Sequence, residues 1–331
     1  MLIYLFTFVL SFILSLYLTS IMRRAALQFG IVDQPDGRLK RHKEPVPYLG
    51  GIAIYLSFML ALAFSFKFNQ EVLGLLLAGA IVLMLGFIDD LGFLNPLVKI
   101  AGQMVAVLVL VRSGIFIKLI FLPTYVSIPL TFLWLVGMSN AFNIIDVMDG
   151  LSAGVALFAS LAFFLVALLN GRIMIAIVAI TLAGSLLGFL RYNFSPAQIY
   201  MGDAGSMFLG LMIGALAMIG SYTEKNVLGF LAPVVILGIP IFDTFLVMFA
   251  RWRKGIPIFL GSPDHYALRL QAAGLSVKGV IWLSYGAAAI LGGLGLLIMR
   301  FSSPYQVVSL VGLLAIAGLV SIFLLQRVEV R

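Results

Sequence analysis

The stretch Leu85-Gly86-Phe87-Ile88-Asp89-Asp90-Leu91-Gly92 sets two carboxylates side by side at the end of an apolar run, with Lys99 nine residues beyond Asp90. An aspartate near the bilayer centre costs about 2.5–3.5 kcal/mol, and adjacent carboxylates raise each other's pKa unless a cation is near. The pair therefore reads as a general base or a cation site; the plainer alternative is a stop at the membrane interface. A second stretch, NAFNIIDVMDGLSAG, carries Asn140, Asn143, Asp146 and Asp149. On a helix, the three-residue spacing of the last three stacks them roughly on one face. The plainer alternative is a helix end with capping residues. A third, RYNFSPAQIYMGDAGSMFLG, places Asp203 between Gly202 and Gly205 where an apolar run begins. Free N–H groups at a helix start favour phosphate, yet the Asp would repel it unless a metal mediates. Mg²⁺ takes one or two carboxylates plus phosphate oxygens, so this motif points to Mg²⁺.

A fourth stretch, RWRKGIPIFLGSPDHYALRLQAAGLSVKG, is the longest polar connection and holds Arg251, Arg253, Lys254, Asp264, His265 and Arg269. Its basic residues suit an anionic substrate or anionic lipid, although charge anchoring at the membrane explains the first three equally well. His265 stands beside Asp264, and a histidine can bind phosphate when protonated. The other histidine, His42, lies in the basic, turn-rich RLKRHKEPVPYLGG, where it could meet a lipid phosphate.

The elements that must position these groups are membrane spans. The 331 residues are 63% hydrophobic and 10% charged, against about 25% charged in a soluble domain. Apolar runs predict an all-α polytopic membrane protein of about 10–11 transmembrane helices: 1–21, 48–66, 72–88, 100–117, 126–142, 151–169, 173–190, 206–221, 227–249, 279–299 and 305–326. The first run has no charged start and no cleavage site, so it reads as an uncleaved span. Alternating the connections from an outside N-terminus puts fifteen of the 21 Lys and Arg on one side, which the positive-inside rule makes cytoplasmic, together with the C-terminus. All nine Asp fall on that same side, which the rule does not require, so a cytoplasmic polar site is expected. One domain is expected, its site built from loops at about 22–47, 89–99, 143–150, 191–205 and 250–278. There is no cysteine, hence no thiolate chemistry, and the net charge of +8 reflects membrane anchoring rather than nucleic-acid binding. Walker A and His-Glu-x-x-His patterns are absent.

Taken in order, RHKEPVPYLGG, GFIDDLG with Lys99, NAFNIIDVMDGLSAG, RYNFSPAQIYMGDAGSMFLG and SPDHYALRL resemble the polyprenyl-phosphate N-acetylhexosamine-1-phosphate transferases, the MraY/WecA superfamily. PVPYLGG is more similar to the N-acetylglucosamine-type branch than to the muramoyl-pentapeptide branch. The resemblance implies transfer of a sugar 1-phosphate from a UDP-N-acetylhexosamine to a polyprenyl phosphate such as undecaprenyl phosphate. UMP would leave, Mg²⁺ (or Mn²⁺) would assist, and the site would lie on the cytoplasmic face of the inner membrane. It implies Asp203 and Asn143 on the metal, and Asp89 and Asp90 near the acceptor phosphate. Lys99 would contact phosphate, with Asn140, Asn143, Asp146, Asp149 and Asn193 on the nucleotide and metal side. Relatives carry several histidines where this chain has DHYALRL, which leaves His265 as a catalytic candidate, so donor-phosphate contacts there would be thinner, or supplied by Arg269 or another basic residue. Relatives are often homodimers. The competing expectation is an ion-coupled carrier, for which Asp243, near Gly238 and Pro240 in the ninth run, is the best residue.

Overall fold

The computed structural model describes all residues except 34–44, 66–68, 120, 221, 224–225, 258–261, 329 and 331. Over its described residues each expected apolar run is largely helical, because a backbone surrounded by hydrocarbon must satisfy its own hydrogen bonds. In chain order these are α1 (Leu2–Phe29), α2 (Gly50–Ser65), α3 (Gln70–Asp90), α4 (Pro96–Arg112), α5 (Thr124–Ile145), α6 (Leu151–Leu169), α7 (Ile173–Asn193) and α8 (Gly202–Ile219). After a 3₁₀ turn at Val227–Leu231 come α9 (Ala232–Ile236), α10 (Gly238–Arg253), α11 (Tyr266–Ala272), α12 (Val277–Ile298) and α13 (Pro304–Leu325). Among the described residues, eight helices are long and apolar enough to cross a membrane by themselves, and α2 and α4, at 16 and 17 residues, are shorter. The protein is a multi-pass membrane protein.

The ninth run is not one straight helix. It bends by 72° between Val227–Ile236 and Gly238–Arg253. Pro233 and Pro240 flank the break, and each removes a backbone donor and crowds the preceding turn. Several polar connections turn on side-chain caps. Asn69 accepts from Val72 N at 2.9 Å to start α3, and Asn95 accepts from Leu97 N at 2.8 Å to start α4 with Pro96 behind it.

The centre of the bundle is α7 and α8, 83% and 78% buried, whereas α13 is 6% buried and lies at the edge. Small residues let neighbours close on α8. A Cβ on Gly86 of α3 would come within 2.5 Å of Ala204, and Gly51 of α2 packs on the Gly205 backbone. A short antiparallel pair, β1 (Val32–Asp33) and β2 (Val46–Pro47), lies at the α1–α2 connection. It is stitched to the start of α8: Tyr200 N donates to Pro47 O at 2.8 Å, and Gly50 N and Gly51 N donate to Tyr200 O and Met201 O, both at 3.0 Å.

Candidate active site

The close approach of α2, α3 and α8 brings distant sequence motifs to one point. Asp90 closes α3, and both its oxygens receive backbone N–H groups from the start of α8: Asp203 N at 2.7 Å and Ala204 N at 3.2 Å. The N-terminus of α8 is thus capped by a side chain from another helix. The amides that the sequence offered to a phosphate are already taken, which corrects that expectation. Gly202 permits the arrangement: its φ is +70°, and a Cβ there would collide with the Asp90 carboxylate.

Asp89, the neighbouring acid, takes a different partner. Lys99, near the start of α4, places Nζ 2.5 Å from Asp89 Oδ2 and 2.8 Å from Asp203 Oδ2. Asn143, in the last turn of α5, donates through Nδ2 to Asp203 Oδ1 at 2.8 Å and to Ser206 Oγ at 3.1 Å. Asp203 is therefore held from both sides, yet its side chain is 35% exposed against 19% for Asp89. It is the carboxylate of that pair more open to an arriving ligand.

The helix expected through Asn143–Asp149 stops early. α5 ends at Ile145, and Asp146 and Asp149 lie in the turn that Gly150, at φ 73°, closes before α6. Their position comes from this turn rather than from stacking on a helical face. Asp149 Oδ2 accepts from Ala197 N at 2.9 Å, which ties the turn to the segment leading into α8. Asp146 keeps some accessible surface, but its carboxyl is enclosed. Burial first, then the charges of Asp203, Asp90 and Asp149, push it well above the usual carboxylate range. Burial and the charges of Asp149, Asp33 and Asp146 raise the Tyr200 phenol to about 12. Tyr48, missed in the sequence although it lies in PVPYLGG, donates to Asp33 Oδ1 at 2.8 Å.

Five aspartates thus converge with one lysine in hydrogen-bond contact. No group of three or more acidic or histidine side chains forms a ready metal cage among the described residues. Mg²⁺ does not need one, since it binds through one or two carboxylates and completes its shell with water and phosphate oxygens. The residues present fit such an ion, with Asp203 as the open carboxylate and Asn143 beside it.

Residues 72–221, which run from α3 through α8 and contain this whole cluster, match the family model for glycosyl transferase family 4. Over 287 residues the chain is 35% identical to the probable undecaprenyl-phosphate N-acetylglucosaminyl 1-phosphate transferase of Bacillus subtilis, covering 84% of this chain and 80% of that protein. The chain belongs to glycosyl transferase family 4. It is also 33% identical to the decaprenyl-phosphate N-acetylglucosaminephosphotransferase of Mycolicibacterium smegmatis, over 93% of this chain and 85% of that one. It is again 33% identical to the phospho-N-acetylmuramoyl-pentapeptide-transferase of Halalkalibacterium halodurans, over 81% and 89%.

Other expected site residues of this family 4 chain stand elsewhere. Asn140 donates to Gln103 Oε1 at 3.0 Å and to Val136 O at 2.7 Å, so it joins α5 to α4. Asn193 is buried; it accepts from Gly150 N at 3.0 Å and donates to Ile199 O at 2.9 Å. It shapes the site by holding two of its loops. His42 lies outside the described residues. His265 forms a separate buried unit with Asp243 of α10: Nδ1 is 2.8 Å from Asp243 Oδ2, and Tyr266 N donates to Asp243 Oδ1 at 2.7 Å. Asp243, the residue offered for a carrier, thereby has both oxygens committed to starting α11 and orienting the imidazole.

Arg269 departs most from expectation. It is buried, and its guanidinium donates to Asp264 O and Oδ1 and to Leu325 O and Val328 O at the end of α13. Four of its five N–H donors are thereby committed, so Arg269 tethers the segment leading into α11 to the end of α13. Burial pushes the Asp264 carboxyl up, but Lys254 and Arg269 more than offset it and hold it below the usual range. An acid with a depressed pKa stabilises the fold fully above its ordinary value of about 3.9, and that contribution is lost as pH falls through its lower folded value. Melting of the detergent-solubilised protein should therefore drop more steeply on acidification below about pH 4 than melting of Asp264→Asn. The variant should already melt lower at neutral pH, because Arg269 is left without its carboxylate. Parallel acid limbs for the two proteins would exclude Asp264 as the source.

Proposed function

We propose that this protein transfers N-acetylglucosamine 1-phosphate from UDP-N-acetylglucosamine to a polyprenyl phosphate, releasing UMP, at the cytoplasmic end of its helices. The observation that carries the proposal is the convergence of Asp89, Asp90, Lys99, Asn143, Asp146 and Asp203 within the segment matched to glycosyl transferase family 4. The names of its Bacillus and Mycolicibacterium relatives support this choice of sugar and lipid class.

The two acids of the pair divide their work. Asp90 is engaged by the α8 backbone, so its role is to hold Asp203 in place. Asp89 is salt-bridged through a single oxygen, and it is assigned to accept the proton of the acceptor phosphate. Lys99 spans Asp89 and Asp203, where it can neutralise one of two mutually repelling phosphates and align them. Asp203 and Asn143 would hold Mg²⁺, which when bound supplies charge stabilisation to the leaving phosphate. A site at helix ends lets the prenyl tail stay in the bilayer while its phosphate meets a water-soluble nucleotide.

The muramoyl-pentapeptide transfer is the second reading, since the Halalkalibacterium relative is 33% identical over most of both chains. A panel of UDP-sugars with undecaprenyl phosphate, read by mass of the lipid product, separates the two. Product from UDP-N-acetylglucosamine alone is expected. It should disappear with EDTA and return with added Mg²⁺. Product only from UDP-N-acetylmuramoyl-pentapeptide would move the assignment to the second reading, and turnover in EDTA would remove the metal from it.

A further inference from the structure

A cavity of about 370 Å³ lies outside the aspartate cluster, between the end of α10, the segment leading into α11 and the end of α13. That volume falls at the lower end of the ~300–1,000 Å³ range of small-molecule sites. Arg253, Lys254, Asp264, Arg269 and Gln326 line it. Among the described residues three cations thus face one carboxylate, and that carboxylate is saturated. Lys254 Nζ lies 2.7 and 2.9 Å from its two oxygens, and Arg269 Nη2 lies 2.5 Å from one of them. Arg253 is exposed and, among the described residues, donates to a neutral group, Gln326 Oε1 at 2.7 Å, and forms no ion pair. The Gln326 amide nitrogen, buried beside the cavity, has no acceptor among the described residues. The lining is therefore rich in donors, poor in acceptors and net positive, which suits a phosphate.

The surface beside the cavity decides the source of that phosphate. Trp252, Phe323 and Leu324 are 69%, 60% and 57% exposed. Phe249 joins them across α10 and α13, stacked on Trp252 at 5.8 Å and edge-on to Phe323 at 6.3 Å. Aromatic side chains at span ends mark the membrane–water boundary, and basic pockets between spans there bind anionic headgroups. We infer that the cavity binds the headgroup phosphate of an anionic phospholipid whose acyl chains lie along Trp252 and Phe323. The lipid would brace α13 against the segment that carries His265, because Arg269 already links Asp264 to the α13 carbonyls. This inference stands independently of the transfer reaction.

The test is native mass spectrometry of the full-length protein from micelles doped with phosphatidylglycerol or phosphatidylcholine. Wild type should retain phosphatidylglycerol several-fold better than phosphatidylcholine. The R253Q/K254Q protein should lose that preference, and R253K/K254R should keep it. Should the double variant fail to fold, Arg253→Gln alone, at an exposed position, carries the same comparison. Equal retention by wild type and the charge-removing variant overturns the inference. So does displacement of the lipid by millimolar inorganic phosphate, which would make the cavity a site for free anions.

Discussion

Asp203→Asn should lower sugar-phosphate transfer by on the order of 10³-fold in kcat while leaving the protein folded. The substitution keeps the shape of the side chain but removes its charge. It also puts an amide donor against Lys99 Nζ or Asn143 Nδ2, both of which now donate to Asp203. Packing should survive, because the close approach of α3 and α8 rests on Gly86 and Ala204 rather than on this carboxylate. Label transfer from UDP-N-acetylglucosamine to lipid, measured beside the melting temperature in detergent, checks both halves of the expectation. Activity near that of wild type would remove Asp203 from the centre of the site.

Lys99→Met should cost about 10²–10³-fold in kcat. The ammonium group bridges Asp89 and Asp203, and no other lysine or arginine among the described residues is ion-paired to either. Without it, their carboxylates repel one another and the incoming phosphates. Lys99→Arg restores the charge, but a planar guanidinium cannot reproduce a compact bridge to two oxygens on different helices, so its activity should fall between the two. Steady-state kinetics at saturating donor and acceptor provide the comparison. A loss confined to KM would mean that Lys99 only gathers substrate, whereas the bridging geometry predicts a loss in kcat.

The two substitutions probe residues with different legibility. Asp89 and Asp90 are adjacent in the chain, and their spacing invites one shared role. Only the fold separates them, giving Asp90 to the α8 amides and Asp89 to Lys99. Asn143, Asp146 and Asp149 were recognisable as a group, but a regular three-residue spacing cannot show that α5 stops at Ile145. His265 and Arg269 share one short motif and part company in space. The histidine is set by Asp243 from the bent α10, and the arginine by carbonyls at the far end of the chain. Ser206 and Tyr48 carried no signal beyond lying in motifs already noticed, since a hydroxyl is too common a residue type to stand out.

The sequence by itself determined the class of solvent, the number of apolar runs and the polar motifs that meet at one end of the bundle. These are properties of composition and order, because lipid forces each apolar run into helix and the cost of buried charge drives the acids to helix ends. Tertiary structure alone decided which of those polar groups remain open to a ligand. Hydrogen-bond capacity is finite, and a carboxylate or guanidinium filled largely by groups from a distant segment has less of it to offer a ligand. Asp90 and Arg269 are filled in this way, while Asp203, gripped by Lys99 and Asn143, still faces outward.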